Sequence, residues 1–409
     1  MNSRSIFRLT PLALLACALA ACTDPVATAA LSAAPESAPS LTVIPTNAFA
    51  TMDGGRDHAC GLTSGGQSWC WGRNVYGQLG DSSAAATLVP VPTLHPVGVT
   101  FTSITAGGAQ TCALDSGGQA WCWGHNADGR LGDGTYVLPL MPVAVQQTGG
   151  LTFTQLSAGD THNCGLDAGG QAYCWGGNNA GQVGDSTWQT VRITPTAVLQ
   201  RGGLTFSSIV AGQQHTCGLD GAGQAYCWGY DGDGALGNGS TFGGYAPVAV
   251  QQPSGVTFVS LAAWRHTCGL TSGGQAYCWG ENAAGQLGDS TIVDQNAPVA
   301  VLQPAGVTFS AISTGGDHTC ALDASGNAWC WGGDSTGQLG NGAGGASRIP
   351  VAVTMPGGVT FTSIFADVSK TCALDTNGQA WCWGRNNSGF NQIGDGTNTT
   401  RTVPTAVSH

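Results

Sequence analysis

Fourteen cysteines carry the most regular chemistry in this chain. They fall as seven pairs with one spacing: Cys60 with Cys70, Cys112 with Cys122, Cys164 with Cys174, Cys217 with Cys227, Cys268 with Cys278, Cys320 with Cys330, and Cys372 with Cys382. First cysteines recur every 51 to 53 residues. A nine-residue gap without clustered partners excludes CxxC metal sites. An oxidising compartment would make each pair a disulfide, and a reducing one would leave free thiols. Each bridge closes a short loop and adds at most about 3 kcal/mol. Histidine stands two residues before the first cysteine in five units, as His58, His162, His215, His266 and His318; Gln110 and Lys370 take the place in the others. A histidine ring around a channel suggests metal, but one ligand per unit does not assemble a set within about 2 Å of one ion. A bond to backbone within each unit is expected instead. The Asp of a Gly-Asp dipeptide recurs as Asp81, Asp133, Asp185, Asp289 and Asp395, with Asn238 and Asn341 in its place. That is turn-capping chemistry. Tyr230-Asp231-Gly232-Asp233 adds acids without a full calcium ligand set.

No Ser-His-Asp or paired-carboxylate arrangement stands out. No catalytic residue, metal or cofactor is expected. Catalysis needs one asymmetric site, so function is expected where the units differ. One such place is the pair before the histidine, among them Arg56-Asp57, Gln213-Gln214, Trp264-Arg265 and Gly316-Asp317. Another is the loop after Trp-Gly, including Arg73 to Tyr76, His125, Tyr230, Glu281 and Arg385. Partner binding is expected at Trp264, Arg265, Tyr76, Tyr230, Arg56 and Arg73, residue types enriched at interface hot spots. A protein-binding scaffold would show an exposed aromatic patch around Trp264. An enzyme acting on surface polymers would show a carboxylate cluster at one channel mouth. The seventh unit carries two extra residues near Phe390-Asn391.

The elements that must position these residues are short strands. In the second unit, Phe101 to Ala106 alternates, Thr111 to Asp115 and Gln119 to Gly124 flank a Ser-Gly-Gly turn, and Pro142 to Val145 adds a fourth strand. Pairing Cys112 with Cys122 sets Leu114 against Ala120. Alternation then puts both cysteines on one face and Trp121 with Trp123 on the other. Four strands per unit and a period near 52 predict an all-β, seven-bladed propeller of four-stranded antiparallel blades with one disulfide per blade. The strand at Val403 to Val407 is expected to complete the first blade and latch the ring, with residues 41–44 as a competing donor.

The repeat resembles that of the regulator of chromosome condensation family, through Gly77-Gln-Leu-Gly-Asp81, Gly285-Gln-Leu-Gly-Asp289 and the Trp-Gly dipeptides at Trp71, Trp123, Trp175, Trp228, Trp279, Trp331 and Trp383. The resemblance covers residues 49–409 and implies the propeller. The nucleotide-exchange role of the family's founder fits poorly with an exported acidic chain. Plant ultraviolet-B photoreceptors of similar fold carry Gly-Trp-Arg-His-Thr in successive blades; here Ala263-Trp-Arg-His-Thr267 occurs once. There is also some resemblance in fold and export to type II β-lactamase-inhibitor proteins, which implies a binding role.

The N-terminus reads as a lipoprotein signal peptide over 1–21. Arg4 and Arg8 precede an apolar run from Leu12 to Ala21, and Leu19-Ala-Ala-Cys22 resembles a lipobox with lipidation at Cys22. Residues 22–48, rich in Ala, Pro, Ser and Thr, form a disordered tether. The propeller occupies 49–409. A chain exported to the cell envelope and held by lipid is expected, at the outer membrane where there are two, since Thr23 follows the cysteine. Without 1–21 the chain has ten basic and 23 acidic residues, a net of −13, which argues against nucleic acid. A monomer that binds an unknown protein is the expected form.

Overall fold

The computed structural model describes residues 48–387 and 389–408. The signal segment, Cys22, the tether up to residue 47 and the competing donor at 41–44 lie outside the described residues.

Each repeat forms one four-stranded antiparallel sheet with its strands in chain order, seven sheets in all. The second repeat supplies Phe101–Ala106, Gln110–Asp115, Ala120–Gly124 and Val143–Ala144. Cys112 faces Cys122, and Leu114 faces Ala120. Every blade carries one disulfide within its central hairpin. Cys60 is bonded to Cys70, Cys112 to Cys122, Cys164 to Cys174 and Cys217 to Cys227. Cys268 is bonded to Cys278, Cys320 to Cys330 and Cys372 to Cys382. In each bridge the Cα atoms are 4.1 Å apart. The pairing is therefore the one that the spacing predicts, with no bridge between blades.

The disulfide face of each blade meets the tryptophan face of the next. Cys60, Leu62 and Cys70 pack with Phe101, Ala113 and Trp123 of the second blade. Cys164, Leu166 and Cys174 pack with Phe206 and Trp228 of the fourth. Cys372, Leu374 and Cys382 pack with Phe49 and Trp71 of the first. A compact sulfur bridge packed against a broad indole suits the close packing of a protein interior.

The C-terminal strand does not latch the first blade. Arg401–Ala406 pairs with Ala380–Gly384 of its own blade, and Thr87–Pro92 is the fourth strand of the first. Every repeat already contains four strands, so no slot stands open. The last seam closes by the same backbone and indole hydrogen bonds as the other six. Phe49 N donates to Gly378 O at 2.9 Å, as Phe101 N does to Gly66 O at 3.3 Å. Trp71 Nε1 donates to Gln392 O at 3.0 Å, as Trp123 Nε1 does to Gln78 O at 2.9 Å.

Five seams also hold a buried His–Thr pair. Nε2 of His58, His162, His215, His266 and His318 lies 2.7–2.8 Å from Oγ1 of Thr111, Thr216, Thr267, Thr319 and Thr371 in the next blade. Each threonine hydroxyl donates to a backbone carbonyl, such as Gln78 O at 2.9 Å. Its one proton is thus used, so it accepts from a protonated Nε2. The histidines therefore bridge blades rather than binding backbone within their own. The two exceptional seams differ on both sides at once. Gln110 meets Asn163, 3.2 Å apart, where the others have Thr. Lys370 reaches the first blade, which has Ala59 in the threonine position, by donating to Gly55 O at 2.9 Å and His58 O at 3.1 Å.

Candidate functional site: one mouth of the axial channel

The first strands of all seven blades line an axial cavity of about 240 Å³, with Asp53, Thr105, Ser157 and Ser313 on its wall. At one end the turns between first and second strands close in on each other. Arg56 N donates to Gly107 O at 3.0 Å, Gly108 N to Gly159 O at 3.1 Å and Asp160 N to Gly212 O at 3.2 Å. A Cβ on Gly55 or Gly107 would collide with the next turn's carbonyl oxygen. Close backbone approach thus favours glycine, which fills this slot in five blades, while Asp367 fills it in the seventh.

Trp264 occupies this slot in the fifth blade. Two residues separate Ala263 from His266, where three separate Ala211 from His215. Trp264 N donates to His266 O at 3.0 Å, as Gly212 N does to His215 O at 2.8 Å, and Trp264 O accepts from Gln213 N at 2.8 Å. The shortened turn admits a side chain, and the indole is only 6% exposed. Trp264 is therefore not the centre of an exposed aromatic patch. The exposed aromatic beside it is Tyr230, at 42%.

The two sets of variable positions form one surface. In the first, second, fourth and seventh blades the residue after Trp-Gly donates to the variable turn: Arg73 N to Asp57 O at 2.8 Å, His125 N to Ala109 O at 2.9 Å, Tyr230 N to Gln214 O at 2.9 Å and Arg385 N to Ser369 O at 2.9 Å. Ion pairs cross this mouth, Arg56–Asp160 at 2.8 Å and Arg265–Asp317 at 2.9 Å, while Arg73–Asp57 spans 3.2 Å within the first blade. Two cavities share Arg265. One, of about 330 Å³, is lined by Arg56, Arg73, Arg265, Arg385, Phe390 and Gln392. The other, of about 260 Å³, is lined by Tyr230, Asp233, Trp264, Arg265 and Glu281. Desolvation raises both Asp233 and Glu281 above the usual carboxylate range. Tyr76 lies outside both cavities, edge-on to His125 with centroids 4.5 Å apart.

The repeated acids are structural. Asn74 Nδ2 donates to Asp81 Oδ1 at 3.0 Å, and Asn282 Nδ2 to Asp289 Oδ1 at 3.2 Å. In the fourth and sixth blades the pair is reversed, as Asp231 with Asn238 and Asp334 with Asn341. Asp231 Oδ1 accepts from Leu236 N at 2.9 Å just as Asn74 Oδ1 accepts from Leu79 N at 3.0 Å. The Tyr230-Asp-Gly-Asp acid at 231 therefore points inward, and desolvation pushes it up to about 6. Among the described residues no three His, Cys, Asp or Glu side chains converge as a metal ligand set.

Sequence reasoning overlooked one feature. The loops outside the Gly-Asp turns expose Tyr136 and Val137 in the second blade, Trp188 in the third, Phe242 in the fourth and Ile292 in the fifth. Trp188 stacks on Tyr245 of the next blade at 6.0 Å. The signal was present in the unequal apolar content of these loops, since the seventh reads Thr397-Asn-Thr-Thr400.

Comparison with known proteins bears on fold and ancestry. The model of the RCC1-like domain matches residues 27–360, and that of the regulator of chromosome condensation (RCC1) repeat matches 371–389. The chain is 32% identical to the ultraviolet-B receptor UVR8 of Arabidopsis thaliana over 70% of its own length and 66% of the receptor's, just under two thirds. It is 27% identical to human E3 ubiquitin-protein ligase HERC2 over 70% of its length but 6% of the ligase. Among solved structures, yeast RCC1 (Prp20) bound to Kap60 superposes with a TM-score of 0.73 at 22% identity, covering 83% of both chains. Human WBSCR16 gives 0.74 at 22% identity, covering 84% of this chain and 94% of that one.

Proposed function

This chain belongs to the RCC1-like domain family, and from that premise we propose that it is a lipid-anchored envelope protein whose propeller is a non-catalytic scaffold for a protein partner. The observation that carries the reading is the convergence of both variable sets on one mouth. There Tyr230 and Arg265 line one cavity and Arg56, Arg73 and Arg265 the other, while the loops between third and fourth strands expose Tyr136, Trp188 and Phe242. Arginine and aromatic side chains around a concave centre are what interface hot spots are made of. The chain enters at the opposite end, where Phe49 binds the Gly378 turn. Cys22→Ser is expected to move the protein from the membrane fraction to the soluble one; retention in the membrane would refute the anchor. The scaffold reading is tested by moving a photo-crosslinker between the two ends of the channel.

Enzymatic action on surface polymers is a second reading, favoured by Asp233 and Glu281 in one cavity. Against it, Arg265 shares that cavity and opposes the desolvation that raises both acids, whereas an acid catalyst needs one of them protonated. Light sensing is not proposed. Trp264 stands alone, because its equivalents are Gly55, Gly107, Gly159, Gly212, Gly315 and Asp367.

A further inference from the structure

The two-residue insertion in the seventh blade builds a feature no other blade has. It carries Phe390 to the mouth, where the Arg385 guanidinium lies 3.8 Å from its ring centroid and that of Arg73 5.6 Å. Arg56 and Arg265 line the same cavity of about 330 Å³. Four of the ten basic residues beyond the signal segment thus meet in one depression of an acidic chain. Three carboxylates, Asp57, Asp160 and Asp317, pair with three of them through one nitrogen each. Arg385 donates from Nε to Asn387 Oδ1 at 3.0 Å. A guanidinium has five N–H donors, so donors remain for a planar anion.

A second, independent observation narrows the ligand. Gln392 lines this cavity, is 1% exposed, and its Oε1 has no partner among the described residues. Its Nε2 donates to Asp57 Oδ1 at 3.2 Å, which fixes the orientation of the amide. A buried acceptor without a donor is costly, and a ligand N–H would satisfy it. An inorganic anion such as sulfate has no N–H to give. A peptide's C-terminal residue has both groups, a carboxylate for the arginines and its own amide N–H for Gln392. Phe390 offers an apolar surface to the last side chain.

We propose that this cavity binds the C-terminal carboxylate of a peptide, seated on Phe390 and the surrounding arginines with its last amide N–H on Gln392 Oε1. The proposal deepens the scaffold reading by naming the chemistry of what the mouth recognises. Calorimetric titration of the full chain with N-acetyl-Gly-Ala-Leu tests it, alongside the C-terminal amide of that peptide and N-acetyl-Gly-Asp-Leu-amide. Saturable binding of the free acid is expected. Binding should weaken about tenfold with the amide, with Arg385→Ala, and with deletion of Phe390 and Asn391. The deletion restores the loop length with which six blades already fold, so its melting temperature serves as the control. No saturable binding of the free acid, equal binding of the amide, equal binding of the internal aspartate peptide, or full binding by a folded deletion variant would each overturn the assignment. The scaffold reading fails separately, if partner contacts map to the opposite end.

Discussion

Lowering the pH from 7.5 to 5 is expected to destabilise the propeller by several kcal/mol, through five histidines buried between its blades. His58, His162, His266 and His318 are pushed down to about 3 and His215 to about 4, chiefly by desolvation. In the unfolded chain they titrate near 6.5. Between these values the unfolded state binds protons that the folded state refuses, so stability falls as pH drops below about 6.5. At pH 5 each histidine costs about 2 kcal/mol, against a total stability typically near 5–15 kcal/mol. Asp231 and Asp367, both raised to about 6 by desolvation, act in the opposite sense as they protonate. Asp53, Asp160, Asp233, Glu281 and Asp334, also raised by desolvation, act in the same direction and reduce the net loss. Urea unfolding at constant ionic strength should show the midpoint falling steeply from pH 7 to pH 5, and less steeply in His266→Gln. A flat profile would mean the imidazoles are not buried and neutral.

The second large effect is expected at the seam between the seventh blade and the first. Lys370 is fully buried, paired with Asp367, and supplies donors to Gly55 O and His58 O. Lys370→Met would leave the Asp367 carboxylate buried without its cation. Breaking such a pair costs about 3–5 kcal/mol. Ring closure concentrates the damage, because this seam is the one joined by no connecting loop. The ordinary seam can be rebuilt there with Lys370→His, Ala59→Thr and Asp367→Gly together. That triple variant should recover most of the loss, whereas Lys370→His alone should not. A Lys370→Met protein within about 1 kcal/mol of the parent in urea unfolding would show that the seam does not depend on this lysine.

The blade architecture was legible because it is local. Cys112 opposite Cys122 fixes the hairpin register, and period two then sorts sulfur from indole. The same holds for Cys164 with Cys174, Cys217 with Cys227, Cys268 with Cys278 and Cys320 with Cys330, each pair directly opposed across its hairpin. Contacts between repeats were not legible in this way. The latch was misplaced because side chains such as Lys370 and Trp71 close the ring where a shared strand was expected. The His–Thr bridges link residues more than 50 positions apart, which no pattern within one repeat reveals. The position of Trp264 was legible in part, since the first cysteines of the fourth and fifth units stand 51 residues apart against 53 for the pair before. That shortened turn is what let a tryptophan into a glycine slot and buried it. The mouth was foreseen as a set of variable positions, but their adjacency came from one backbone bond repeated between the turn and the residue after Trp-Gly.

Partners are expected to meet the mouth built from the disagreeing positions, and not the repeated skeleton. This is tested most directly by placing a photo-crosslinking residue at Tyr76 or Tyr230 on the mouth face, and at Ser116 or Ala222 on turns at the opposite end, in the full chain within its native envelope. A discrete adduct of the same mass from positions 76 and 230, absent from 116 and 222, is the predicted result. Adducts confined to 116 and 222 would contradict it.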